Sequence, residues 1–122
     1  MELINSIFTW VMKKRIHDME LFMKYPHEVQ EELVRKLVKT ARKTVFGSKY
    51  GFESISRSAD FKQKVPIHSY ETIYPYIDRL LKGEQNILWP SEIKWFALSS
   101  GTTNARSIFI PVSLESLVDC HF

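Results

Sequence analysis

Trp95-Phe96-Ala97-Leu98-Ser99-Ser100-Gly101-Thr102-Thr103-Asn104-Ala105-Arg106, followed after one residue by Ile108-Phe109-Ile110-Pro111-Val112-Ser113, is the stretch whose reading decides the fold. Its two apolar ends are rich in aromatic and β-branched side chains, the composition of strands, and the polar run between them lacks any helical period. Ser113 is a good N-cap and Glu115 falls in the first turn that would follow, so a helix is expected to open there. The order is therefore strand, loop, strand, helix. Ile87-Leu88-Trp89-Pro90 and Ile93 share the strand-like composition, which predicts sheet character from residue 86 onward.

Upstream the pattern is helical. Ile4, Ile7, Phe8, Val11, Met12, Ile16 and Met19 follow the spacing of an amphipathic helix, which Tyr25-Pro26 should end because the proline ring disfavours α geometry in the residue before it. Pro26 suits the first turn of a second helix, expected to bury Val29, Leu33, Leu37, Val38, Ala41 and Val45 and to stop near Phe46-Gly47. Residues 47–58 read as a connecting loop, Ser58 as the cap of a short helix, and Val65-Pro66-Ile67 as extended chain. Residues 70–82 read as one or two short helices ending at Gly83. The expected fold class is mixed α/β, a helical hairpin in front of an incomplete sheet, helical over 1–85 and strand-loop-strand-helix over 86–122.

Composition narrows the function. The 122 residues are 44% hydrophobic and 25% charged, as in a folded domain, and the formal charge of +3 is spread along the chain beside abundant Glu. Such scatter reads as solvated helix faces, and no nucleic-acid partner is expected. One cysteine, Cys120, allows no internal disulfide, which makes a cytoplasmic home the default. His17, His27, His68 and His121 have no metal-ligand spacing, so no metal site is expected from protein ligands. Trp10, Trp89 and Trp95 are expected in the core. The first helix, with its apolar face and Lys13-Lys14-Arg15, reads either as a packed helix or as one lying on a membrane surface, with packing favoured and no membrane partner expected.

The loop after Leu98 carries the chemistry. Gly101 permits close backbone approach, and successive N–H groups with the hydroxyls of Ser99, Ser100, Thr102 and Thr103 can converge on an anion. On composition alone the run is either an ordinary turn or a phosphate cradle; the Walker A spacing, with its lysine opening a helix, is absent. None of these residues is placed as a nucleophile or general base.

The run Tyr76-Ile77-Asp78-Arg79-Leu80-Leu81-Lys82-Gly83-Glu84-Gln85-Asn86-Ile87-Leu88-Trp89-Pro90, with Trp95-Phe96-Ala97-Leu98-Ser99-Ser100-Gly101-Thr102-Thr103 and Phe109-Ile110-Pro111-Val112-Ser113, resembles the bacterial branch of the auxin-responsive promoter (Gretchen Hagen) family. Those proteins are acyl-acid amido synthetases of the adenylate-forming superfamily. The resemblance implies that residues 1–122 are the N-terminal part of a large ATP-binding domain with an adenylate-forming-type sheet. It implies Mg-ATP as cofactor, with AMP as product, and carboxylic acid and amino acid substrates, the carboxylate being adenylated before amide formation. It also implies nucleotide contacts at Ser99, Ser100, Gly101, Thr102 and Thr103. Two departures stand out: Ile108 and Leu98 occupy positions where the family commonly has lysines. Arg106, two residues before Ile108, is a candidate substitute if the chain is already extended there. The family's later motifs are expected beyond Phe122, where the last helix looks cut rather than capped, so a truncated non-catalytic remnant and a small helical interaction module remain alternatives.

Overall fold

The computed structural model describes residues 2–99 and 107–121, with side chains over 4–99 and 107–118. Its described elements are α1 (Glu2–Lys24), α2 (Pro26–Ala41), α3 (Val45–Lys49), a 3-10 turn (Phe52–Ser54), α4 (Ser58–Lys64), α5 (Tyr70–Leu81), β1 (Trp95–Ser99), β2 (Ile108–Val112) and α6 (Leu114–His121). The fold is mixed α/β: helices first, then an antiparallel pair of strands.

Helices α1 and α2 meet at Tyr25, whose backbone (φ −134°, ψ 58°) leaves helical geometry just before Pro26. Helical bonding continues on both sides of this break, Tyr25 N–H to the Leu21 carbonyl at 2.8 Å and Val29 N–H to the Tyr25 carbonyl at 3.1 Å. The described side chains of α1 are all exposed. On α2 the stripe that packs is Val34, Val38 and Ala41, spaced i, i+4, i+7. Leu33 (51% exposed) and Leu37 (45%) are not in it, and α2 ends at Ala41, short of the expected Phe46-Gly47. Several apolar stripes on α2 satisfy a helical period; the position of the 3-10 turn and α4 selects one.

Residues 47–58, expected as a plain connection, supply half of that core. Phe52 and Ile55 are buried with Val38 and Ala41, and Phe46, Tyr50, Phe61 and Val65 close around them. The tight turn is made possible by Thr44, fully buried, whose hydroxyl donates to the Ala41 carbonyl (2.7 Å) and accepts the Gly47 N–H (2.9 Å). Gly47 must be glycine, since a Cβ there would lie 2.1 Å from the Ala41 carbonyl oxygen. Ser58 does not cap α4 but is its first residue; Asp60 reaches back to accept the Ser56 and Arg57 N–H groups at 3.1 and 3.0 Å. The Ser58 N–H and hydroxyl both donate to Glu31, tying α4 to α2.

Helix α5 ends as expected at Gly83, whose φ of 92° is readily adopted only without a Cβ. Residues 86–94 form no strand, in contrast to the strand-like composition of 87–90. Ile87 is instead a plug, 1% exposed, buried with Leu80 and Ile93. Trp89 packs against both core clusters. Trp10 (67% exposed) and Trp95 (50%) lie outside the core, unlike Trp89. No helix among the described residues is long and apolar enough to cross a membrane.

Two outcomes check this packing. Gly47→Ala should cost ~1–3 kcal/mol in a denaturant titration, the scale of an overpacked core site, because its obstacle is backbone. An unchanged midpoint would contradict the close approach. Glu31 binds its proton less readily than an ordinary carboxyl, chiefly through the Ser58 hydroxyl and then the Ser58 N–H. A carboxyl with a lowered folded-state pKa contributes stability above the usual carboxylate range and loses it as pH falls through the folded value. Glu31→Gln should therefore flatten the acid side of the stability profile, and an unaltered acid limb would show the contact to be idle.

Candidate functional site

The register of the strand pair fixes the mouth of the loop: Trp95 opposes Val112, Phe96 Pro111, Ala97 Ile110, Leu98 Phe109, and Ser99 Ile108. Directly opposed residues share a face, so Phe96, Leu98, Phe109 and Pro111 lie on one side and Trp95, Ala97, Ser99, Ile108, Ile110 and Val112 on the other. Phe96 carries the first side onto the helical body, against the Leu80, Ile87 and Ile93 cluster.

The outer edge of β2 is held by Tyr70, the first residue of α5. Its hydroxyl accepts the Phe109 N–H at 2.9 Å and reaches the Phe109 carbonyl at 3.4 Å. Pro111, two residues on, faces the same edge and has no N–H to leave unpaired. An edge that would otherwise invite pairing with another chain is thereby blunted one residue from the loop. The far end of β2 is secured by Ser113, which is buried and accepts the Ser116 N–H at 3.1 Å, the expected cap of α6. Glu115 accepts from Ser91 at 2.8 Å, and its pKa is lowered by its own N–H and then by that hydroxyl.

Ser99 ends β1 with its side chain exposed opposite Ile108. Ser100, Gly101, Thr102, Thr103 and Arg106 lie outside the described residues, as does the sharing of a face by Arg106 and Ile108; β2 begins at Ile108. Leu98 (64% exposed) and the half-buried Ile108 project to opposite faces of the ribbon. One cation could not stand in for lysines at both. Among the described residues no three His, Cys, Asp or Glu side chains converge as a metal site. His68 links elements instead, Nε2 to the Tyr50 hydroxyl at 3.1 Å and Nδ1 to the Thr72 hydroxyl at 3.2 Å.

Tyr70 is the supporting residue that sequence reasoning did not single out. Its role depends on a partner 39 positions away, and nothing local distinguishes it from Tyr74 or Tyr76.

Comparison with known proteins identifies the family. Residues 15–122 match the GH3 family N-terminal domain. The chain belongs to the GH3 family. It is 31% identical over 101 residues to jasmonoyl–L-amino acid synthetase JAR4 of Nicotiana attenuata, covering 82% of this chain and 18% of that protein. It is 30% identical over 109 residues to the 4-substituted benzoates-glutamate ligase GH3.12 of Arabidopsis thaliana, covering 88% and 18%. Against indole-3-acetic acid-amido synthetase GH3.8 of Oryza sativa subsp. indica it is 30% identical over 90 residues, covering 73% and 15%. The chain thus spans less than a fifth of the length of these relatives.

Tyr70→Phe removes the hydroxyl and leaves the ring. The Phe109 N–H then loses its partner, at a cost of ~1–3 kcal/mol for a desolvated donor, and its hydrogen exchange should accelerate while that of the α2 amides is unchanged. Equal protection of Phe109 in both proteins would show that Tyr70 does not hold the strand.

Proposed function

We propose that this chain contributes the phosphate-binding loop of an ATP-dependent acyl-acid amido synthetase, as the N-terminal part of that enzyme's ATP-binding domain. The observation that carries the reading is the match of residues 15–122 to the GH3 family N-terminal domain, whose relatives named above are amide-forming ligases. The mouth of the β1–β2 hairpin supports it: Ser99 stands exposed at the end of β1, which Phe96 packs onto the helical body, and the neighbouring β2 is braced at its outer edge by Tyr70. A rigid base is what a phosphate loop needs, since its donors must be aimed before the ligand arrives.

In this reading Ser99, Ser100, Gly101, Thr102 and Thr103 hold phosphate oxygens through hydroxyls and N–H groups, and Arg106 supplies a positive charge near them. Ile108 and Leu98 offer no charge, which leaves Arg106 the larger share. ATP with Mg²⁺ supplies the adenylyl group that activates a carboxylic acid toward the amine of an amino acid. The residues of this chain bind and orient; the reading assigns them no proton transfer. It also includes a cytoplasmic location, supported by the lone Cys120.

Calorimetric titration of the chain with Mg-ATP tests the reading, with a thermal melt of the same sample. Saturable binding is expected, weakened roughly tenfold or more by Arg106→Ala, the scale of a charged hydrogen bond, and unaffected by Lys82→Ala. Lys82 is already engaged, 2.6 Å from Asp78 on the exposed side of α5. Equal effects of the two variants would remove Arg106 from the site. A cooperative melt without binding would contradict a preformed loop.

A further inference from the structure

The segment that enters α5 has one inward anchor. Of residues 66–69 only His68 is half-buried, while Pro66, Ile67 and Ser69 are exposed. The His68 ring packs against Phe46 and Tyr50, with centroids 5.6 and 5.7 Å away. Both of its nitrogens are engaged, Nε2 with the Tyr50 hydroxyl at 3.1 Å and Nδ1 with the Thr72 hydroxyl at 3.2 Å.

Counting protons gives these contacts a direction. The Thr72 hydroxyl donates its one proton to the Ser69 carbonyl at 2.9 Å, so toward His68 it can only accept, and Nδ1 must carry the N–H. In the neutral ring Nε2 is then bare and accepts from Tyr50. The Ser69 carbonyl also takes the Thr72 and Ile73 N–H groups at 3.2 and 3.1 Å, the opening bonds of α5. Tyr50, at the end of α3, is thereby tied through one imidazole to the first turn of α5. Tyr70 stands in that turn, and its hydroxyl holds Phe109, one residue after β2 begins. The buried side chains of α5, Ile77 and Leu80, lie about two turns or more beyond Tyr70 and locate the far end of the helix.

We propose that His68 is a positioning residue for the phosphate loop: it fixes the first turn of α5 against α3 and, through Tyr70, sets where β2 receives the chain from the loop. The inference rests on the phosphate-loop reading given above. His68 touches no ligand in this role. An apolar side chain could fill the space beside Phe46 and Tyr50, but it could not accept from Tyr50 on one side and donate to Thr72 on the other.

Imidazole nitrogen chemical shifts, native-state hydrogen exchange and Mg-ATP calorimetry on the 122-residue chain test this together. Neutral His68 should carry its proton on Nδ1, whereas a free histidine side chain in water favours Nε2. His68→Leu and Tyr50→Phe should each speed exchange of the Phe109 amide and leave the α2 amides as they are. Each should also weaken Mg-ATP binding roughly twofold to thirtyfold, the range over which remote positions modulate affinity. His68→Gln, whose amide can still accept from Tyr50, should recover part of both effects, and Tyr50→Phe carries the test if His68→Leu does not fold. A proton on Nε2, or a Phe109 amide that exchanges alike in all these proteins, would overturn the role. So would Mg-ATP affinity indifferent to Tyr50→Phe in a chain that binds the nucleotide. No binding by the unaltered chain would instead contradict the phosphate-loop reading, and this role would fall with it.

Discussion

A pair of backbone hydrogen bonds joins the two halves of the chain. The first N–H groups of a helix have no partner within it. At α3 they are met from the segment after α5: Val45 N–H donates to the Asn86 carbonyl and Phe46 N–H to the Ile87 carbonyl, both at 3.0 Å. The Asn86 side chain completes the clamp, its amide donating to the Lys43 carbonyl at 3.0 Å across 43 positions of sequence. Asn86 adopts a φ of 58°, which asparagine tolerates better than most residues with a side chain. With the backbone held there, Ile87 enters the core against Leu80 and Ile93, and Phe96 at the root of β1 packs on that cluster.

An aromatic group stiffens this junction. Phe46 lies 4.7 Å from Tyr50 and 5.3 Å from Tyr76, centroid to centroid, and 5.6 Å from the His68 ring. Lys49 donates to the Tyr76 hydroxyl at 2.8 Å and sits about 5.4 Å over the Tyr50 ring. Its pKa is raised, first by the Tyr76 hydrogen bond, so it stays charged where its attraction to the ring faces is useful. The hairpin mouth thus projects from a packed base. By contrast the apolar side chains of α1 and the Trp95, Ala97 and Ile110 side of the ribbon lie open.

What could be read in advance was local. The break at Tyr25-Pro26, the stop at Gly83, the Ser113 cap and the order strand, loop, strand, helix each follow from a few adjacent residues with fixed stereochemistry. What could not be read was non-local. Residues 47–58 show no period, yet Phe52 and Ile55 are core because α2 lies beside them. Leu33 and Val34 satisfy the helical spacing equally well, and only the position of the 3-10 turn and α4 decides between them. The 87–90 run has strand composition but spends its apolar groups on filling the core. For the loop, Ser99, read as its first residue after a strand ending at Leu98, is the last residue of β1, while residues 100–106 lie outside the described structure and rest on family resemblance. Tyr70 and Glu31 act through partners far along the chain, which composition and spacing do not reveal.

The central claim is that the clamp between residues 43–46 and 86–87 holds the hairpin on the helical body. Native-state hydrogen exchange on the chain and on Asn86→Ala tests it most directly, because the Val45 and Phe46 amides report the clamp itself. The account expects those two amides among the slowest to exchange, and expects Asn86→Ala to speed them together with the β1–β2 ladder amides. Rapid exchange at Val45 and Phe46 beside a protected ladder would contradict it, since the strands would then be held by something other than this junction.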